Sequence, residues 1–420
     1  MTQLHCIRKS FAAIGVVAVF GAVASAGEYA PAPKAVVSDK APLEADPWTF
    51  CDIFDANTLY EGDGFIREIS LHGRYHGQYI SQNEEIGGVP NNGYHNWHHR
   101  RTRFAVQVEM QGNLTFYAEG NFPDGTGSRT DFIREGDEIL NDFQDFYLEW
   151  EPEDTFLTFI KVGKQKQKLT REDWESSKRI KAVERAAVVN EVAGARPWGA
   201  TIGFETGPLL HEFGGWIYGE HREEPNWIDF QANTGFSYHL EVPVSDDMSV
   251  FFDYVYVNNN DGFGRAQGQA DNGTVGSAYE HSFALGAEYE KGRFQLMTDF
   301  VYALNRTSSG GIPAGDDTWG FYVIPSYDIT DDLEFVFRYA YLDSGREQRV
   351  QRFGVDSTDF DLNARQSVED YHTVYAGLQY FICGEKLKLM AGYEWASGKV
   401  FGTDTDIDTG GWQLAVRTYF

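Results

Sequence analysis

A two-residue rhythm of apolar and polar positions runs along most of this chain. Ile69, Leu71, Gly73, Tyr75, Gly77 and Tyr79 alternate with Ser70, His72, Arg74, His76 and Gln78. Phe104, Val106, Val108 and Met110 interleave with Arg103, Ala105, Gln107, Glu109 and Gln111, and Leu114, Phe116 and Ala118 with Thr115, Tyr117 and Glu119. Successive side chains of a strand point to opposite faces, so the pattern predicts strands that are apolar on one side and polar on the other. The last segment repeats it. Trp412, Leu414, Val416 and Phe420 share one face; Gln413, Ala415, Arg417 and Tyr419 share the other.

The connections fall into two kinds. Short ones, rich in Gly, Pro, Asp and Asn, occur at Gly112-Asn113, 151–154, 206–208, 242–247, 290–292, 328–332 and 383–385. Longer polar stretches lie at about 81–96, 122–142, 165–196, 220–228, 258–279, 305–318, 343–370 and 397–410. The two kinds alternate, and seven short turns with eight long loops delimit sixteen strands. A soluble sandwich has no reason to segregate its connections this way. A transmembrane antiparallel β-barrel has one, with short periplasmic turns and long extracellular loops. The fold expected over 65–420 is therefore all-β, a barrel of about sixteen strands.

The N-terminus changes where that barrel would sit. Arg8 and Lys9 precede an apolar run from Phe11 to Ala26 that ends in Ala24-Ser25-Ala26, so 1–26 reads as a secretory signal peptide. Residues 27–64 read as a periplasmic leader, Pro- and Ala-rich at first and without periodicity. No second apolar run approaches the ~18 residues of a spanning helix, which excludes a helical membrane protein. A negative mean hydropathy accompanies 15% Phe, Trp and Tyr, as alternation and aromatic girdles would produce. The expected location is the bacterial outer membrane, with membrane lipid and lipopolysaccharide as surroundings.

Charge narrows the partners. The formal net charge is −28, and 33 basic against 63 acidic residues remain after 1–26 is removed. Nucleic acid is excluded as a partner on that balance. Small hydrophilic or anionic solutes crossing a polar lumen are the expected cargo. Cys51 and Cys383 both fall at the periplasmic side of the expected barrel, near neighbours around its rim, and form a candidate disulfide in an oxidising compartment. No ligand-spaced Cys cluster, complete calcium loop or nucleophile motif indicates a metal, a cofactor or an enzyme. His95-x-x-His98-His99 is a weak metal motif, and Asp404-x-Asp406-x-Asp408 a partial one.

From Phe65 to Phe420 the chain resembles the phosphate-selective porins O and P. The resemblance is carried by Leu71-x-Gly73-Arg74-Tyr75, Arg100-Arg101-x-Arg103-Phe104, Val162-Gly163-Lys164-Gln165-Lys166, Glu184-Arg185, Trp198-Gly199, Arg338-Tyr339-x-Tyr341-Leu342 and Leu414-x-Val416-Arg417, in that order. It implies a homotrimer of sixteen-stranded barrels, with a constriction formed by infolded loops and lined by basic side chains that bind anions.

The candidate constriction is the long loop at about 165–196, taken as infolded. Lys161, Lys164, Lys166, Lys168, Arg171, Lys178, Arg179, Lys181 and Arg185 crowd 161–185, against Glu172, Asp173, Glu175 and Glu184. In a confined lumen such a cluster would concentrate anions and exchange part of their hydration for charge-assisted hydrogen bonds. Strand parity adds Arg74, Arg103, Arg338, Lys388 and Arg417 to the lumen wall. It also turns ten acids inward: Glu109, Glu119, Asp145, Glu149, Glu205, Asp253, Glu288, Asp299, Glu334 and Glu394. On this reading the loop, not the wall, favours anions. A general or cation-preferring diffusion porin, a non-conducting structural or adhesion barrel and an outer-membrane hydrolase remain alternatives.

Overall fold

The computed structural model describes residues 49–122, 143–153, 155–193, 196–218, 233–258, 279–306, 317–343, 368–400 and 403–420. The stretch 1–26, the leader up to residue 48 and most of the long connections lie outside them. Sixteen long strands close on themselves: β2 (Ile66–Ile86), β3 (Val89–Met110), β4 (Leu114–Phe122), β5 (Phe143–Trp150), β6 (Leu157–Lys164), β7 (Trp198–Thr206), β8 (Leu209–Tyr218), β9 (Asn233–Ser245), β10 (Met248–Val257), β11 (Tyr279–Lys291), β12 (Phe294–Arg306), β13 (Thr318–Thr330), β14 (Leu333–Asp343), β15 (Val368–Phe381), β16 (Leu387–Val400) and β17 (Asp406–Tyr419). Each pairs antiparallel with the next, and β17 pairs with β2.

A short strand, β1 (Thr58–Glu61), precedes them. The β17–β2 register ends at Tyr419↔Arg74, where Phe420 N–H donates to the Gly73 carbonyl at 3.1 Å. Below that point β1 takes over the same edge of β2, with Thr58 opposite Ser70 and Leu71 N–H donating to the Asn57 carbonyl at 2.8 Å. The edge of β2 is thus covered along its length, as a barrel requires. Cys51 and Cys383 are joined by a disulfide, their Cα atoms 5.4 Å apart, so this segment is tied to the β15–β16 turn. Lys386 pairs with Asp55 beside it.

The outer surface is the apolar one. Leu71, Phe104, Val106, Leu148, Ile202, Phe213, Leu285, Phe300, Leu378, Leu389 and Leu414 are exposed, each on the outward register of its strand. A water-soluble protein does not leave so continuous an apolar band uncovered; in a bilayer it faces hydrocarbon.

Two expected loops are strand instead. The stretches 81–96 and 397–410 are mostly hairpin, β2 running on to Ile86 before β3 begins at Val89. Gly87 and Gly88 make that turn at φ +58° and +73°, a left-handed pair that suits a two-residue hairpin. Both faces are polar there, so period two leaves no trace in hydropathy.

Between β6 and β7 the chain leaves the wall and enters the barrel. It carries two short helices, α1 (Arg171–Trp174) and α2 (Ala187–Val192). Leu169, Ala182, Val183, Ala186, Val188, Val189 and Val192 are buried against inward residues of β10–β17, including Val255, Val301, Tyr322, Ile324, Ala340 and Tyr375. Gly320 makes room for this contact, since a Cβ there would lie 2.8 Å from Val188 Cγ2. The loop therefore packs its apolar side against one face of the lumen and meets β2 and β3 through polar contacts, Gln78 and Arg100 reaching Glu184 at 2.8 and 2.7 Å.

Candidate permeation site

The loop is held by side chains projecting from the wall. Asp253 on β10 accepts from Thr170 N–H at 3.0 Å, and Asp299 on β12 from Arg171 N–H at 2.8 Å. Glu172 N–H donates to the Tyr322 hydroxyl at 2.9 Å. These are the first backbone donors of α1, which have no partner within the helix itself. Arg338 and Arg417 are each 1% exposed and also bind the loop. Arg338 pairs with Glu394 at 2.5 Å and Glu172 at 3.5 Å and donates to the Glu184 carbonyl. Arg417 donates to the carbonyls of Ser177 and Val183. Their positions on the inward face are those that parity gives, but their charge is committed to the loop backbone and not offered to a solute.

The same holds for much of the basic cluster. Lys181 pairs with Glu334 at 2.5 Å, Lys168 with Glu212 at 2.8 Å, and Arg171 with Glu288 at 2.9 Å and Glu175 at 2.7 Å. Lys166 meets Asp173 at 3.2 Å, Arg179 meets Glu175 at 2.9 Å, and Lys161 meets Glu149. Arg185 donates to the carbonyls of Glu172, Asp173 and Glu175. Lys164 lies opposite Phe146, on the outward register, and does not face the lumen. Of the wall's inward acids, Glu149, Glu288 and Glu334 thus meet bases of this cluster, Glu119 and Glu394 pair with wall arginines, and Asp253 and Asp299 accept from loop N–H groups. Sequence parity counted both without showing that they meet.

Net positive charge is concentrated between the loop and β2–β5. A cavity of about 360 Å³ there is lined by seven cations, Arg74, Arg100, Arg101, Arg103, Lys166, Arg185 and Arg196, and by three carboxylates, Asp145, Asp173 and Glu175. Glu119 sits behind it, 3.2 Å from Arg74 and 3.1 Å from Arg103, and Glu184 lies 2.7 Å from Arg100. Counting these two, cations still outnumber acids. Burial pushes the Glu184 carboxyl up, but the Arg100 and Arg101 guanidiniums outweigh it and hold it at about 2. Arg74 also donates to Ser177 Oγ at 2.6 Å. Lys178 reaches over the Tyr419 ring at 4.5 Å; burial and the nearby Arg74 charge push its ammonium down to about 8.

Three of these cations were not legible. Arg100 and Arg101 lie between the long polar stretch at about 81–96 and the alternation that starts at Arg103, but β3 runs through them. The pairing runs His76↔Arg101 and then Gly77↔His99, leaving Arg100 as the extra residue of a bulge. A bulge breaks alternation, and both arginines reach lumen groups. Arg196 pairs with Asp145 as the loop returns to the wall.

Further along the same strands, toward the short turns, lies a second cavity of about 830 Å³. Glu109, Glu149, Glu151 and Glu153 line it with a single cation, Arg67. Charge thus changes sign along the passage. His95 and His99 are engaged with Ser81 and Tyr75 at 2.9 Å, and the His98 side chain lies outside the described residues. No group of three or more potential metal ligands occurs among the described residues.

A closed sixteen-stranded barrel with an apolar exterior and a loop packed into a charged lumen defines an outer-membrane channel. The model of the family "Phosphate-selective porin O and P" matches residues 69–296, more than half of the chain, and the chain belongs to that family. Solved structures agree in fold. The outer membrane channel DcaP of Acinetobacter baumannii is 10% identical, with a TM-score of 0.54 over 86% of this chain and 99% of that one. OprB of Pseudomonas putida is 12% identical, with a TM-score of 0.52 over 84% and 94%. OmpF of Salmonella typhi, solved with daunomycin, is 15% identical, with a TM-score of 0.51 over 86% and 100%. No curated protein sequence matches the chain. The protein is an outer-membrane porin, and its family and fold are those of a channel rather than an enzyme.

Proposed function

We propose that this porin lets small hydrophilic solutes diffuse passively and prefers anions, and that the chamber between loop and wall sets the preference. The supporting observation is the lining of that chamber by seven cations and three carboxylates. In a narrow passage with low-dielectric walls, fixed charge raises the local concentration of the opposite ion and is poorly screened. The carboxylates behind the guanidiniums hold them in place, and an anion would exchange water for their donors. We further propose that 1–26 is removed on export, that 27–64 remains periplasmic, and that the porin is a homotrimer, which rests on the family.

A cation-preferring pore is the second reading, favoured by the acidic cavity near the short turns. Planar-bilayer recording in a KCl gradient separates the two. The anion reading expects a reversal potential of anion-selective sign, and a cation-selective sign would overturn it. Folded protein without conductance would favour a structural barrel.

A further inference from the structure

We infer that the turn end of the barrel is a second selectivity region, favouring cations, in series with the basic chamber, and that the two together make the porin rectify ionic current. This rests on the anion reading of the chamber and adds the residues that oppose it. The ladder between β2 and β3 carries two like-charge pairs on its inward face. Arg74 stands directly opposite Arg103, and Glu68 directly opposite Glu109. The pairs are six positions apart on each strand, about 20 Å at the rise of a β-strand. Like charges directly opposite one another weaken strand pairing, so such a pair calls for a role other than holding the wall together.

The arginine pair is braced by Glu119. The glutamate pair accepts from neutral groups, Glu68 from the Thr58 hydroxyl at 3.3 Å and Glu109 from the Gln107 amide at 3.0 Å. Three more acids lie at the same end. Glu205 follows Thr201 and Gly203 on the inward register of β7, Glu241 stands opposite buried Phe251, and Asp328 opposite buried Glu334. Among the described residues none of these five acids forms an ion pair. The inward bases at this end are taken, Lys161 by Glu149 and Lys388 by Glu385 at 2.7 Å. Fixed charges of opposite sign thus stand one after the other along the barrel. When the turn-end compartment is positive, anions enter through the basic chamber and cations through the acidic end. Each then enters through the region that favours it, and ions accumulate between the two. With the polarity reversed each must enter through the region that repels it, and the middle is depleted.

The test is current–voltage recording on single insertions of the full-length porin in planar bilayers. In about 0.1 M KCl, where the screening length is about 10 Å, currents at about 100 mV of either sign should differ roughly twofold. The larger current should flow when the turn-end compartment is positive. In about 1 M KCl, where screening shortens to about 3 Å, the ratio should approach unity. Orientation is read with Glu153→Cys, at an exposed position of the β5–β6 turn, from the side on which a thiol-reactive polyethylene glycol too large to cross the pore changes the current. Glu68→Gln combined with Glu109→Gln should lower the ratio and make the reversal potential more anion-selective. Equal currents at both polarities in the dilute salt, a larger current at the opposite polarity, or an unchanged ratio in the folded double variant would overturn the inference while leaving the anion reading intact. A cation-selective reversal potential of the wild-type porin in a KCl gradient would remove the anion reading, and this inference with it. The wild-type recordings at the two salt concentrations decide the matter even if the double variant does not fold.

Discussion

Arg101 and Lys164 lie on neighbouring parts of the barrel and differ in which way they face. Arg101 is buried at the chamber, whereas Lys164 sits on the outward register. Arg101→Gln should lower the anion-to-cation permeability ratio roughly twofold or more, read from reversal potentials in a salt gradient. Lys164→Gln should leave that ratio where it is. Lys178 gives a pH dependence. Its ammonium is held down at about 8, so it is charged below that pH and neutral above it. Anion preference should therefore weaken as pH rises from 7 to 9, and Lys178→Gln should flatten that part of the curve. At this scale alternation correctly turned Arg74, Arg103, Arg338 and Arg417 inward. It could not distinguish a guanidinium facing the passage from one that grips a backbone carbonyl, because the loop that decides this comes from far away in sequence. Nor could it find Arg100, which a bulge turns inward against the rhythm.

The infolded loop is the element on which the passage depends. Its length and basic character are plain in the sequence. Its anchors are not, since Arg338 and Glu172 stand 166 residues apart and only barrel closure brings them together. Arg338→Met leaves Glu394 and Glu172 buried without their cation. Breaking such a pair costs about 3–5 kcal/mol, and the expected results are a lower unfolding midpoint in detergent and a noisier open channel. Normal stability with steady conductance would show that the remaining anchors suffice. Gly320→Val should act on the loop and on the wall together, because a Cβ there would meet the Tyr341 carbonyl oxygen on β14 as well as lie 2.8 Å from Val188 Cγ2. Increased current noise with a lower unfolding midpoint in detergent is the expected signature. Strand existence was the most legible property of the elements, since the outer face must be apolar wherever lipid touches it. Strand length was the least, because that demand ends above the membrane, where β2 and β3 continue with polar residues on both faces.

For the whole molecule, the excess of 63 acidic over 35 basic residues does not describe the passage, whose narrow chamber carries the opposite sign. Total charge is a property of surface and solubility, and selectivity a property of a few buried positions. The seam between the two ends of the chain has a consequence of its own. The disulfide contributes to none of the strand pairs that close the ring, so Cys51→Ser should still yield a conducting barrel. It should unfold at a lower midpoint, with a loss of up to roughly 5 kcal/mol in chain-entropy terms. The two cysteines are 332 residues apart, and the second lies in the turn that precedes the final hairpin. During synthesis Cys51 must wait, as a free thiol, until nearly the entire chain has been delivered. Alkylation with a thiol-reactive mass tag during a pulse-chase would then act as a stopwatch for biogenesis. Tagged chains would be those still assembling, and untagged chains those in which the first and last parts of the polypeptide have met.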